Sequence, residues 1–291
     1  MNVKPFYFTW LLFLLCFGSN PAKAGEKVIH TREVYKIIDS FTLTIDVFHT
    51  TQSYERSKNT AIVFFHGGGW AFGSPDEFFP TCERYAEMGI VTFSVAYRLS
   101  IDNGVTPSKT ITPIEAVMDA RSAMRWVREN TQKFHIDPDK IVVAGQSAGG
   151  QLALSTAMIE EYNEKTDNAE VSCSPNAILL FSSCVNTVEG WCDYLLAERR
   201  LKIWSISPFH HVREGLPPMI EFHGTDDEQV PKWTVQFFQN ALKKKGNEFE
   251  LHMLEGRKHY LGGDNTKYSR YYDEDILKIT DDFLRRHKLL N

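Results

Sequence analysis

The stretch Ile141-Val-Val-Ala-Gly-Gln-Ser-Ala-Gly-Gly150 decides the reading of this chain. Four apolar residues end at Ala144, a turn of small residues carries Ser147, and Gly149-Gly150-Gln151-Leu152 opens a helical stretch expected over Ser147 to Tyr162. The turn fits Gly-x-Ser-x-Gly, in which a serine sits on a sharp strand-to-helix bend whose strained backbone needs small neighbours. Pattern alone would arise in roughly one chain in ten of this length, so the weight rests on the strand before Ser147 and the helix after it.

Outward from that turn, Ala61 to Phe65, Ile90 to Val95, Ala177 to Phe181 and Met219 to Phe222 are likewise short, mostly apolar runs. Such runs suit parallel strands covered on both faces. Helices are expected between several of them. The clearest spans Thr112 to Asn130, with Ile114, Val117, Met118, Met124 and Val127 at helical spacing and Pro113 in its first turn. Others are expected at Phe79 to Met88, Pro231 to Lys244 and Asp273 to His287, and a further strand at Phe249 to Leu254. Near the start, Glu33 to Ile37 and Leu43 to Phe48 alternate apolar and polar residues, as an antiparallel pair does. Strands alternating with helices give an α/β fold with a doubly wound, mostly parallel sheet, whose ligands gather at the C-terminal strand ends. Ser182 to His211, with Trp191, Tyr194, Trp204 and Phe209, has little periodicity. It reads equally as a segment folded over the mouth of a site or as an excursion whose aromatics cover core.

Loops at those strand ends carry the chemistry. His66-Gly67-Gly68-Gly69-Trp70 follows one strand, and consecutive glycines let backbone N–H groups approach a ligand closely. Acyl transfer needs donors aimed at a tetrahedral oxyanion, and an HGGG-type loop together with the residue after the serine, Ala148, supplies them. A serine hydroxyl also needs an imidazole to take its proton and a carboxylate to orient that imidazole, in the order Ser, acid, His. The acidic turn after Phe222, His223-Gly-Thr-Asp-Asp227, offers Asp226 and Asp227. Of the later histidines, His252 falls in an expected strand and His287 in an expected helix, whereas His259 lies in a loop. His259 is therefore the candidate base. His66 and His223 read as loop braces. Neither H-E-x-x-H nor a paired C-x-x-C is present, so no metal is expected.

Composition sets limits on partners. The chain has 291 residues, 43% hydrophobic and 24% charged, with formal net charge −5 and no concentrated basic stripe. Nucleic acid is excluded as an expected partner, since tracking phosphates needs such a stripe. Lys4, the apolar stretch Phe6 to Phe17 and Ala22-Lys23-Ala24 form the three parts of a secretion signal. Residues 1–24 are accordingly read as a signal peptide and 25–291 as one catalytic domain, secreted or periplasmic. The apolar stretch is shorter than the ~20 residues a membrane-crossing helix needs, so no stable membrane insertion is expected after cleavage. Leu15 before Cys16 lacks the small side chain that lipoprotein processing prefers. Beyond the signal, Cys82, Cys173, Cys184 and Cys192 remain. Cys184 and Cys192 are close enough in sequence to staple one loop, and four buried free thiols are the alternative.

These motifs resemble the α/β-hydrolase superfamily, and more narrowly the esterases related to hormone-sensitive lipase and to the feruloyl and acetyl-xylan esterase group called BD-FAE. The resemblance spans Leu43 to the terminal helix and rests on His66-Gly-Gly-Gly-Trp70, Tyr97-Arg98-Leu99, Asp119-Ala-Arg-Ser-Ala-Met-Arg-Trp126, Gly145-Gln-Ser-Ala-Gly-Gly150, Gly215-Leu-Pro-Pro218 and His223-Gly-Thr225. It implies the α/β-hydrolase fold and a cofactor-free hydrolysis through an acyl-enzyme, while the short N-terminal segment of this chain leaves room for little or no cap domain, so a fairly open site is expected. Within its H-G-T-x-D pattern the acid falls on Asp227, which the resemblance prefers to Asp226. Ser147 would attack, His259 would relay the proton, Asp227 would orient it, and Gly67, Gly68 and Ala148 would hold the oxyanion. The family's usual Gly-His-Gly-Phe is here Lys258-His259-Tyr260-Leu261, a bulkier and more basic wall.

The resulting expectation is a serine carboxylesterase acting on a small ester or an acylated carbohydrate, acetyl groups on plant polysaccharide such as xylan being the leading case. Against it stand a feruloyl esterase or a peptidase of the same fold. A non-catalytic binding protein is the reading from another class, although such a protein has no need of Ser, Asp and His in catalytic order.

Overall fold

The alternating segments near the start of the chain pair as expected, β1 (Val28–Ile38) antiparallel to β2 (Phe41–Thr50), with β2 antiparallel in turn to β4 (Val91–Val95). Between β2 and β4 lie α1 (Thr51–Glu55), β3 (Asn59–Phe65) and α2 (Phe79–Glu87). A two-stranded ribbon, β5 (Ile101–Asp102) with β6 (Thr106–Pro107), follows, then α3 (Pro113–Glu129), β7 (Ile136–Gln146), α4 (Ala148–Met158) and β8 (Ala177–Phe181). The chain continues through α5 (Cys192–Leu196), β9 (Met219–Gly224), α6 (Lys232–Lys244), β10 (Phe249–Leu254) and α7 (Glu274–Arg286). This computed structural model describes residues 27–262 and 273–290 apart from 103, 105 and 189. The segment read as a signal peptide lies outside the described residues.

Among the described residues the main sheet has eight strands in the order β1-β2-β4-β3-β7-β8-β9-β10, parallel from β4 to β10. The apolar runs make sense in this order. On β3, Ala61, Val63 and Phe65 enter one core with residues of α3, α4 and α6, while Ile62 and Phe64 enter a second with residues of α2 and α7. Both faces are covered, so alternation of polar and apolar residues has no place there. The crossover order leaves β7 beside β3 and β8, which brings the loops after β3, β7, β8 and β9 to one end of the sheet.

Local signals set the helix bounds. At α3, Thr112 Oγ1 accepts from the Ile114 amide, the Glu115 carboxylate accepts from the Thr112 amide at 2.7 Å, and Pro113 occupies the first turn. Helix α4 is shorter than Ser147 to Tyr162, for a physical reason. Ser147 itself has φ 54°, outside helical space, and Ile159 is extended where the Arg121 guanidinium reaches in to take the carbonyls of Ser155 and Ile159. The last carbonyls of a helix lack intrahelical donors, and although the Ile159 amide serves the Ser155 carbonyl at 3.2 Å, Arg121 reaches both. The four cysteines are buried free thiols, so the Cys184–Cys192 staple is not formed. Burial pushes the Cys184 thiol up to about 12 and Cys192 well above its ordinary value, which withholds the thiolate that disulfide exchange requires.

Tyr97-Arg98-Leu99 and the Asp119 segment, marks of the family resemblance, meet in a buried ion cluster. Asp119, fully buried on α3, accepts from the Arg98 amide at 2.9 Å, from Arg98 Nη2 at 2.7 Å and from Lys36 Nζ at 2.8 Å. Glu164 closes the cluster against Lys36 and Arg98 at 3.0 and 3.1 Å. One carboxylate thus ties β1 and the end of β4 to α3. Removing one partner of such a buried group leaves the others uncompensated, at a cost of about 3–5 kcal/mol. Asp119→Ala should lose stability on that scale in denaturant unfolding, and a change below about 1 kcal/mol would mean that the cluster is not the tie it is drawn as.

Candidate active site

Ser147 stands between the last residue of β7 and the first of α4 with φ 54° and ψ −119°. A non-glycine residue holds this backbone only where its surroundings over-determine it. Here they do so through the main chain. The Ser147 amide donates to the Phe181 carbonyl at 3.0 Å, and the Ser147 carbonyl accepts from the amides of Cys184 and Gln151 at 3.0 and 3.2 Å. The end of β8 thereby clamps the bend. On the other side, α4 lies directly on the end of β3: a β-carbon at Gly149 would stand 2.0 Å from the Phe65 carbonyl oxygen and 2.4 Å from that of His66. Only glycine permits that approach.

The loop after β3 is braced to α4 and to β4. Tyr97 stacks on the His66 ring, centroids 4.3 Å apart, and donates its hydroxyl to the His66 carbonyl at 2.9 Å. Trp70 Nε1 donates to Gln151 Oε1 at 2.9 Å, and the other end of that buried amide donates to the Ile206 carbonyl at 2.8 Å and to Ser155 Oγ. Gln151 therefore joins the glycine loop to the segment between β8 and β9. Both readings of that segment apply in part: Cys184, Asn186 and Trp191 line the mouth of the site, whereas Leu195, Leu196, Ile206 and Phe209 pack into the core. Trp191 leans on the glycine loop so closely that a Gly69 side chain would meet its indole at 2.8 Å. Arg199 fixes the far part to α3 through Glu115 and Thr112.

His259 and Asp227 meet as expected. His259 Nδ1 lies 2.8 Å from Asp227 Oδ2, with His259 only 4% exposed, and Asp227 Oδ1 accepts from the amides of Gln229 and Val230, each at 2.9 Å. Burial works to raise the Asp227 carboxyl, but the hydrogen bond and charge of His259 and the two amides outweigh it and hold it below the ordinary carboxylate value. Asp226 instead points its carboxyl to the neighbouring Thr225 hydroxyl. An ionised Asp227 only accepts, so Nδ1 carries a proton, and in the neutral ring Nε2 is left as the acceptor. Gln146 Nε2 lies 3.1 Å from it. In this state the amide of Gln146 donates to the nitrogen that must later take a proton.

Gly68, Ser147, Ala148, Trp191, Thr234 and Tyr260 are among the residues around a cavity of about 360 Å³, which His259 also lines. The structure thus brings Ser147, Ala148, Gly68 and His259 to one cavity, with Asp227 hydrogen-bonded to His259 and Gly67 next to Gly68 in the loop. Ester hydrolysis is within the reach of this set: a hydroxyl on a strained bend, an imidazole whose Nε2 becomes available once Gln146 yields it, and main-chain donors at the start of α4 and in the glycine loop. Three contributors are not legible as such in the sequence. Gln146 occupies a position that the motif leaves open, Trp191 is one of several aromatics, and Glu221 is a lone polar residue in an apolar run. Among the described residues no helix is long and apolar enough to cross a membrane.

A family model described as BD-FAE matches residues 45–242. Among solved structures, Thermogutta terrifontis esterase 2 superposes with TM-score 0.78 at 36% identity, over 91% of this chain and 95% of that one. Its forms include one phosphorylated by paraoxon and others with propionate or butyrate bound. Esterase LipQ of Mycobacterium tuberculosis is 26% identical over 69% of this chain and 50% of its own length, and an arylesterase of Saccharolobus solfataricus is 30% identical over 56% and 50%. The chain spans about half the length of the curated relatives it matches.

Two tests follow from this geometry. Gly149→Ala should cost about 2 kcal/mol or more by overpacking, seen as a lowered melting temperature, and should slow labelling of Ser147 by an organophosphonate; a variant that melts and labels like wild type would contradict the packing of α4 on β3. Because the folded Asp227 carboxyl sits below its unfolded value of about 3.9, its contribution is complete above that pH and is lost as pH falls through the folded value. The stability gap between wild type and Asp227→Asn in urea should therefore shrink below about pH 4, and a gap that stays constant into acid would refute the assignment of the lowered group.

Proposed function

The chain belongs to the BD-FAE family, an α/β-hydrolase of the esterase type, and from that premise we propose that it is a serine carboxylesterase that removes short acyl groups, acetyl foremost, from acylated carbohydrate outside the cytoplasm. The observation that carries this reading is the 2.8 Å contact of His259 with Asp227 beside a serine on a strained bend. In the proposed reaction His259 Nε2 takes the Ser147 hydroxyl proton as Oγ bonds to the ester carbonyl carbon. The developing oxyanion meets the amides of Ala148 and of Gly67 and Gly68. Collapse breaks the bond to the alcohol, which leaves with the proton from His259. Water then repeats the sequence against the acyl-enzyme and releases the acid. Asp227 stays ionised throughout and steadies the imidazolium.

Gln146 must swing or lengthen away from Nε2 as the serine proton arrives, since one lone pair cannot accept from both. The acyl preference is supported by the modest cavity, near the lower end of the range for small-molecule sites. Propionate and butyrate in Thermogutta terrifontis esterase 2 point the same way. The carbohydrate alcohol rests on the family, and export rests on the signal-like residues 1–24.

One observation favours a second reading. Trp191 lies parallel to Phe72, 5° between planes and 6.5 Å between centroids, and both line the cavity. An aromatic acid such as a feruloyl group would find flat partners there. Release of acid from acetylated xylo-oligosaccharides, p-nitrophenyl acetate and methyl ferulate, each with a Ser147→Ala control, separates the readings. Acetate from both acetyl substrates with a dead control is expected; Ser147→Ala at more than about 1% of wild-type rate would remove the serine mechanism, since losing the nucleophile costs several orders of magnitude. Hydrolysis of methyl ferulate faster than of either acetyl ester would replace acetyl by the aromatic acyl group.

A further inference from the structure

We propose that Glu221 and His223 form a second charged pair behind Asp227, and that this pair governs how strongly Asp227 acts on His259. The proposal rests on reading His259 as the general base. Residues two apart on a strand share a face, and Glu221 and His223 sit so on β9, both fully buried in the interior of the sheet. A carboxylate there needs compensation. Glu221 Oε1 accepts from the Ser183 amide at 2.9 Å and lies 3.2 Å from His223 Nδ1.

The other ring nitrogen decides the charge. His223 Nε2 lies 3.0 Å from the Val230 carbonyl oxygen and 3.5 Å from Asp227 Oδ2. A carbonyl and an ionised carboxylate accept and never donate. With Glu221 ionised, both nitrogens must therefore carry hydrogen, which is the imidazolium. Burial alone would lower the pKa of this ring, but the hydrogen bond and charge of Glu221, the Val230 carbonyl and the charge of Asp227 outweigh it and raise it. Glu221 from its own strand and Asp227 from the following loop are the charged groups that face the ring, and His259 bears on it through Asp227.

Asp227 Oδ2 thus lies between two imidazoles, His259 at 2.8 Å and His223 at 3.5 Å. A cation on one side offsets part of the field that the carboxylate exerts on the other. The strength with which Asp227 holds the His259 proton is thereby set in part from behind the carboxylate. Glu221 and His223 touch neither the cavity serine nor substrate; they are positioning residues, acting through Asp227.

The rings can be followed directly by nitrogen-edited NMR of the full chain between about pH 5 and about pH 9, with His223 assigned by its absence in His223→Gln. In wild type His223 should show two N–H groups at neutral pH. Glu221→Gln, close to isosteric, should neutralise the ring and move the His259 titration up by about half a pH unit, and the acid limb of kcat/KM for p-nitrophenyl acetate should move with it. His223→Gln removes the cation from the other end and should shift His259 the same way. A neutral His223 in wild type at pH 7 overturns the pair without any variant having to fold. A charged His223 with an unmoved His259 titration in both variants overturns its influence and leaves a brace for the loop. Were wild type inert toward esters, the esterase reading would fall alone, because both titrations are read without substrate.

Discussion

Everything at the mouth of this sheet depends on one backbone conformation, the left-handed bend at Ser147. It cannot be held by the serine side chain, and the three main-chain hydrogen bonds to Phe181, Cys184 and Gln151 hold it instead. Those bonds exist only if β7 and β8 keep their parallel register and if α4 starts at once, pressed against the end of β3. The buried ion cluster around Asp119 serves the same end at a distance, fixing α3 to β1 and β4 so that α4, packed on α3 within the same core, has a rigid support. The site is thus a consequence of sheet geometry before it is a collection of side chains.

Much of this was legible in the sequence, and the legible parts share a physical property. Doubly covered strands read as short apolar runs, glycines at a forced bend read as Gly-x-Ser-x-Gly, and loops that follow strands read as polar turns. Each signal is local. His259 was reached by elimination among three histidines, and its contact with Asp227 bridges 32 positions. The choice of Asp227 over Asp226 came from family pattern, since two adjacent carboxylates in one turn differ only in which way the backbone aims them.

What stayed hidden depends on convergence across the chain. Glu221 reads as an interruption in Met219-Ile-Glu-Phe222 because its partners are an amide just beyond β8 and a ring two residues on. Gln146 filled a motif position open to any residue, and its meaning appears only when the loop after β10 brings His259 to it. Arg98 and Asp119 were recognised as family marks without their reason, which is a shared charge across 21 positions. The segment 182–211 offered no period because most of it is neither regular helix nor strand; its place is set by Arg199, Gln151 and Trp191, one side chain at a time.

That mode of attachment separates recognition from architecture. Among the described residues the excursion between β8 and β9 contributes no strand to the main sheet, and its exposed rim of Trp191, Tyr194 and Trp204 can change while Cys184 stays on the serine bend and Leu195, Leu196 and Ile206 stay in the core. A scaffold of this kind behaves like a socket with a removable faceplate. Lineages sharing the strands and the serine bend can diverge in the faceplate alone, and an engineer seeking a new acyl preference would begin with Trp191 and its neighbours while leaving the β7–α4 corner as it is.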